Sequence, residues 1–188
     1  DTAIELDPKV ASVWGNKGAA LGNLGKYEEA IECYDKAIEI DPKHVDSLYN
    51  KGLVLANLGK DEEAIEYYDK VIEIDPKDVD SLYNKGAALD NLGKYEEAIE
   101  CYDKAIEIDP KDAGVWNSKG STLAHSDKHE EAIECYDKAI EIDPKDVDPW
   151  YKKGQMFGKL GKYEEARECF DKAIEIDPEY KLAWDEKG

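Results

Sequence analysis

EEAIECYDKAIEIDP, residues Glu28–Pro42, returns four more times with small changes, from Glu62, Glu96, Glu130 and Glu164, each copy 34 residues after the last. A fixed period of this size marks a tandem array, in which one supersecondary unit buries its apolar face only against its neighbours. Counted from Ala11, complete repeats run over 11–44, 45–78, 79–112, 113–146 and 147–180. The segment 1–10 matches the last ten residues of a repeat and 181–188 matches the first eight, so residues 1–188 read as a single array cut from a longer one.

Each repeat carries two helical patterns. In the first repeat Val13, Trp14, Gly18, Leu21 and Leu24 recur at three- and four-residue steps until Gly25 ends the pattern. Tyr27, Ala30, Ile31, Tyr34, Ala37, Ile38 and Ile40 then follow the same period, until Asp41 and Pro42 stop it because proline lacks the donor and clashes with a continuing helix. The two helices are called A and B. Glu28 and Glu29 favour the dipole at the start of helix B, and Glu32 lies four residues before Lys36, an ion-pair spacing worth a few tenths of a kcal/mol that recurs from Glu66–Lys70 to Glu168–Lys172.

Small residues have a packing reason. Gly18, Gly52, Gly86, Gly120 and Gly154 cost helix A about 1 kcal/mol each in propensity, so they predict a close approach that side-chain bulk would prevent. Ala30 and its equivalents give helix B its own close-contact side, and Tyr34, Tyr68, Tyr102, Tyr136 and Phe170 are the large residues expected to fill the space between hairpins.

Composition narrows the function. A formal charge of −20, with 37% charged residues, opposes phosphate backbones and anionic lipid, so no nucleic-acid or membrane partner is expected. No apolar run approaches the ~20 residues of a membrane span, and DTAIELDPKV lacks the pattern of a secretory signal. Cys33, Cys101, Cys135 and Cys169 form one column, with Tyr67 in the remaining repeat; a helix-packing step of about 8–10 Å separates neighbours, too far for a disulfide. Packing thiols in a reducing, cytoplasmic setting are expected.

No phosphate-cradling glycine loop, nucleophile elbow, zinc-protease or Cys-x-x-Cys pattern is present, so no catalytic residue, no cofactor and no metal ligand is assigned, and the chain is not expected to be an enzyme. Asp-Pro-Lys-Asp-x-Asp, as at Asp75, Asp78 and Asp80, lacks the glycine and final glutamate of a calcium loop and reads as a helix stop followed by a cap. His125 and His129 flank a turn and read as exposed loop residues. In that fourth repeat Asp127 replaces the turn glycine, which makes this the softest expected hairpin junction.

The pattern Trp14-x2-Lys17-Gly18-x2-Leu21, Ala30-x3-Tyr34, Pro42, with Leu82, Gly86, Leu89, Ala98, Tyr102 and Pro110 in the third repeat, resembles the tetratricopeptide repeats. The resemblance covers the whole chain. It implies an all-α fold, a right-handed superhelical solenoid of antiparallel helix hairpins, with helix A lining a concave groove. Lys17, Lys51, Lys85, Lys119 and Lys153 stand where the family usually has leucine, and their stems are expected to snorkel along the surface.

On that geometry the partner-binding groove would be lined by Asn16, Asn50, Asn84 and Lys152 in one column, Tyr49, Tyr83, Asn117 and Tyr151 in a second, and Asn23, Asn57 and Asn91 in a third, where His125 and Lys159 follow. Asparagine offers donor and acceptor together, so a ladder of it suits the backbone of an extended peptide, and tyrosine adds flat apolar area. The cations with which chaperone-binding relatives clamp a terminal carboxylate are not supplied by Gly15, Tyr49 or Tyr83; Lys152 supplies one. The expected function is a non-catalytic protein–protein interaction scaffold holding a protein or peptide. Two alternatives stand beside it: a substrate-recognition segment of a larger O-GlcNAc-transferase-like glycosyltransferase, whose relatives carry similar asparagine-lined arrays, and end-to-end self-association through the incomplete terminal repeats.

Overall fold

The computed structural model describes residues 10–180, so the partial repeats at 1–9 and 181–188 lie outside the described residues. Ten helices and no strand occur among the described residues: α1 Ala11–Asn23, α2 Tyr27–Ile40, α3 Val45–Asn57, α4 Asp61–Ile74, α5 Val79–Asn91, α6 Tyr95–Ile108, α7 Ala113–His125, α8 His129–Ile142, α9 Val147–Lys159 and α10 Tyr163–Ile176. Odd-numbered helices are helix A of successive repeats and even-numbered ones helix B. The chain divides into two compact units, Asp1–Gly93 and Lys94–Gly188. In the first, α1 to α5 pack each on the next, and α1, α3 and α5 also touch one another in sequence; in the second, α6 to α10 do the same and α7 touches α9. Within each unit, helix A of one repeat therefore borders helix A of the next.

Side chains set the helix ends as the sequence suggests. Asp41, Asp75, Asp109 and Asp143 each accept the backbone N–H two residues on, at 2.9–3.0 Å, which folds the Asp-Pro-Lys corner. The residue after that corner caps the next helix A: Asp78 accepts from Ser81 N–H, Asp112 from Gly114 and Val115, and Asp146 from Asp148, while His44 Nδ1 performs the same task for Ser47. The aspartates of the recurring Asp-Pro-Lys-Asp motif are thus turn and cap groups.

The turn between helix A and helix B closes as a Schellman motif, with Lys26 N–H reaching Leu21 O and Gly25 N–H reaching Gly22 O, both at 2.9 Å. That geometry needs a positive φ, supplied by Gly25, Gly59, Gly93 and Gly161 at +71° to +73°. Asp127 occupies the same place at +60° and still forms the closing bond from Lys128 N–H to Leu123 O. An L-residue with a β-carbon pays a steric penalty there that glycine avoids. Asp127→Gly is therefore expected to stabilise the α7–α8 hairpin by about 0.5–1 kcal/mol, after allowing for glycine's freer unfolded chain. Hydrogen exchange at Lys128 should be faster than at Lys26, Lys60 and Lys162 in the wild type and slow in the variant; exchange at Lys128 already the slowest of the four would refute the soft junction.

Core packing explains the helix-A glycines. A β-carbon on Gly18 would lie 2.6 Å from the Tyr34 ring, on Gly52 2.7 Å from Tyr68, on Gly120 2.7 Å from Tyr136 and on Gly154 2.5 Å from Phe170. The large ring of helix B thus lies on the glycine of its own hairpin, as well as reaching the next one: Tyr34 clusters with Ala30 and with Val54 of α3. The cysteine column is buried, and burial pushes the Cys135 and Cys169 thiols up to about 11, so they are protonated packing groups near neutral pH.

The lysine column behaves differently from the snorkelling expectation. Lys51 pairs with Asp35, Lys85 with Asp69 at 2.5 Å, Lys119 with Asp103 at 2.5 Å and Lys153 with Asp137 at 2.5 Å, each ion pair joining helix A of one repeat to helix B of the repeat before. Lys51 is buried and its ammonium also lies 4.4 Å from the Tyr67 ring centroid. Burial alone would lower its pKa, but the Asp35 and Tyr67 contacts outweigh burial and raise it, so the residue stays charged. Because the aspartates are about half-exposed, each pair contributes modestly to stability while fixing the register of one hairpin on the next.

The anticipated Glu32–Lys36 spacing gives way to other partners. Lys36 Nζ lies 4.4 Å from the Trp14 ring centroid and Lys70 4.2 Å from Tyr67, and Lys138 and Lys172 pair with Glu141 and Glu175 three residues on. An aromatic face within reach competes successfully with a fully solvated carboxylate. His129 also departs from the exposed-loop expectation. It is the first residue of α8 and only partly exposed, with Nε2 3.9 Å from Asp127 Oδ1.

Candidate functional site

Helix periodicity puts the first and third predicted columns, seven residues apart, on one side of helix A, with the second about a quarter-turn round from the first. In the first unit, Asn16 and Asn23 of α1 and Asn57 of α3 are exposed, whereas Tyr49, Asn50, Tyr83 and Asn84 are half-buried and Asn91 is exposed. Asn84 Nδ2 donates to Tyr49 Oη at 3.0 Å and to the Asp80 carbonyl at 2.8 Å, tying α5 to α3. Asn91 Nδ2 reaches Asp61 Oδ1 at 3.4 Å. The other two residues of the first column, Asn16 and Asn50, form no side-chain hydrogen bond among the described residues. Tyr49 is kept protonated by burial, with Asp80 and Asp78 adding to the effect. The first unit therefore presents neutral polar groups, some already joined and some open.

The second unit has a different chemistry in the same columns. Asn117 and Lys152 are half-buried, and Lys152 Nζ lies 3.0 Å from Asp148 Oδ2 and 3.4 Å from Asn117 Oδ1. Tyr180 Oη donates to Asp148 Oδ1 at 3.2 Å. Burial works to raise the Asp148 carboxyl, but Lys152, Tyr180 and Asn117 together outweigh it and hold the group below the usual carboxylate range. Tyr151 is 9% exposed, its ring 5.9 Å from Phe170 and 5.5 Å from Tyr180, and its hydroxyl accepts from Gln155 at 2.9 Å. Most of Tyr151 is thus engaged in packing. A cleft of about 880 Å³ opens beside it, with Tyr136, Met156 and Phe170 among its apolar lining and Lys152, Gln155 and Lys159 among its polar lining.

Two-helix repeats closed by a glycine turn and an Asp-Pro corner are matched by the family model for the tetratricopeptide repeat over residues 11–44, 45–78, 79–112 and 147–180. The chain belongs to the tetratricopeptide repeat family. Two further models of that family match residues 120–161 and 101–134, which covers the divergent fourth repeat. Among solved structures, YrrB, a TPR protein with an unusual peptide-binding site, is 28% identical over 99% of this chain and 96% of its own, with a TM-score of 0.81. MamA from Desulfovibrio magneticus RS-1 is 26% identical over 90% of this chain and 96% of its own, with a TM-score of 0.84. No curated protein matches the sequence.

As a tetratricopeptide array, the chain has its sequence variety on helix A. The columns on α1, α3 and α5 are dominated by asparagine and tyrosine, whereas α7 carries Asn117, Ser118 and His125 there and α9 carries Tyr151, Lys152 and Lys159. Arg167 on α10 also lines the cleft, and the column reading missed it because it belongs to helix B. The available signal was its position: the four earlier repeats carry Ile31, Ile65, Ile99 and Ile133 there. No helix among the described residues is long and apolar enough to cross a membrane.

Proposed function

We propose that this protein is a non-catalytic interaction scaffold that holds an extended peptide or a helix of a partner protein along the helix-A face of its repeats. The observation that carries this reading is the row of asparagines and tyrosines on α1, α3 and α5, within which Asn16 and Asn50 keep both donor and acceptor uncommitted among the described residues. Such groups can pair with peptide backbone, whose N–H and C=O need partners when water is displaced. Tyr49 and Tyr83, half-buried, supply flat area beside them. The likeness to YrrB supports a peptide as the ligand class.

The test is peptide-array binding by the whole chain and by the triple variant Asn50→Ala/Tyr83→Ala/Asn84→Ala. Lost hydrogen bonds of about 0.5–1.5 kcal/mol each should weaken the retained peptides about tenfold or more. Circular dichroism confirms that the variant remains folded, because Asn84 also bonds Tyr49. Unchanged binding by a folded variant would sink the assignment of this face.

A further inference from the structure

One contact between repeats of the first unit departs from the pattern of the others. Helix B begins with Tyr27, Tyr95, His129 and Tyr163, but in the second repeat it begins with Asp61. In the first repeat Tyr27 packs against the cluster of Ala30, Tyr34 and Val54, the last of these from α3. Val54 is matched one repeat later by Ala88 of α5, two methyl groups smaller. Where α4 meets α5, a ring and a branched side chain are therefore both replaced by shorter groups, and a carboxylate stands in the place of the ring. Asp90, just before Asn91 on α5, brings a further carboxylate where the other repeats have Gly22, Ala56, Ala124 and Gly158.

Asp61 is only 9% exposed, whereas Glu62 and Glu63 of the same helical turn are exposed. Favouring the helix dipole needs no burial, so the two glutamates serve it and the burial of Asp61 calls for a different reason. Its one hydrogen bond among the described residues comes from Asn91 Nδ2 at 3.4 Å, longer than the usual range, and it forms no ion pair among them. The neighbouring Lys60 turns instead to Glu63, at 3.3 Å. Two turns further along the same face of α4 lies Tyr68, 0% exposed. Its hydroxyl has no hydrogen-bond partner and is near enough to Asp61 for the carboxylate charge to act on it. A buried carboxylate and a buried hydroxyl, both short of partners, are acceptors placed for an N–H donor.

We infer that the α4–α5 junction holds the side chain of a lysine or arginine of the bound peptide, whose cation displaces the Asn91 amide and pairs with the Asp61 carboxylate, with Tyr68 Oη as a further acceptor. The inference rests on the scaffold reading and adds the chemistry of one residue of the ligand. Charge favours a cation here. The three groove columns on α1, α3 and α5 hold no lysine, arginine or histidine, and a chain of net charge −20 draws cations toward its surface. Exposed acids offer a basic side chain little, because water and salt screen the pair. A carboxylate shielded from water gives a stronger contact fixed to one place, so Asp61 reads a position in the peptide and not its overall charge.

The experiment is selection of a random dodecapeptide library displayed on phage against the whole immobilised chain, followed by affinity measurement on the selected peptides. They should share a lysine or arginine at one fixed place. Asp61→Asn keeps the size of the side chain and an acceptor for Asn91, and should weaken these peptides about tenfold or more with the melting temperature little changed. Glu62→Gln removes the same charge from the same turn at an exposed position and should cost about twofold or less. Replacing the shared basic residue of the peptide by alanine should abolish the difference between wild type and Asp61→Asn, while Asn91→Ala should leave the basic preference in place. Equal losses in Asp61→Asn and Glu62→Gln, or peptides with no shared basic residue that are lost with Asn50→Ala/Asn84→Ala, would overturn this inference and leave the scaffold reading standing. A selection that returns no binding peptide, or peptides indifferent to every variant, overturns both.

Discussion

Tyr68→Ala is expected to destabilise the first unit by about 3–5 kcal/mol, the cost of emptying a fully enclosed aromatic site whose neighbours relax only in part. Tyr68 is 0% exposed, clusters with Leu55 and Ala64, lies on Gly52 and has the Tyr49 ring 6.2 Å away. The loss should appear as a lower denaturant midpoint and faster hydrogen exchange throughout α3 and α4, since a repeat is supported by its neighbours and fails locally first. A conservative variant gives the opposite sign. The Tyr68 hydroxyl is buried without a hydrogen-bond partner, and burial raises its pKa. Tyr68→Phe removes that unsatisfied group and should be neutral or stabilising by up to about 1 kcal/mol. Phe170 already fills the corresponding place in the fifth repeat. A destabilisation by Tyr68→Phe comparable to that of Tyr68→Ala would contradict this account of the site.

Gly52→Ala should destabilise by about 1–3 kcal/mol, although alanine is the better helix former by about 1 kcal/mol. The new methyl would meet Tyr68 ring atoms at 2.7, 3.0 and 3.1 Å, and a ring enclosed on all sides cannot withdraw. Combining the two substitutions separates packing from propensity. In the Tyr68→Ala background the obstacle is gone, so Gly52→Ala should become stabilising by up to about 1 kcal/mol. An equal effect in both backgrounds would show that the glycine serves the helix in some other way than by admitting the ring.

How much of this was legible before the fold depends on distance along the chain. Helix A and helix B, the Asp-Pro stop and the Asp caps all act within a few residues, where periodicity and hydrogen-bonding options are written locally, and the described helices end where those signals stand. The strained turn at Asp127 was legible for the same reason, since the other four turns show glycine in its place. The Lys–Asp ladder was not. Lys85 and Asp69 are 16 residues apart on two different helices, and nothing local distinguishes that pairing from Glu32 with Lys36, a pairing that lost to the Trp14 ring.

The candidate site divides along the same line. The asparagine and tyrosine columns follow from a 34-residue period and a helical face, so the residues were named from the sequence. Their hydrogen bonds were not, because Asn84 reaches Tyr49 from a neighbouring repeat, 35 residues away. The cleft in the second unit needed both helix types, and Arg167 became relevant only when α10 was placed beside α9.

By itself the sequence determined the repeat, its two helices, the small-against-large packing rule and the family, because each is a short-range pattern copied five times. Tertiary structure alone decided which lysine meets which aspartate, that the ring of helix B lies on the glycine of its own hairpin, and that Lys152, Lys159 and Arg167 share one opening. The physical reason is that periodicity specifies the face on which a side chain lies. The stacking of one hairpin on another then decides which face it meets.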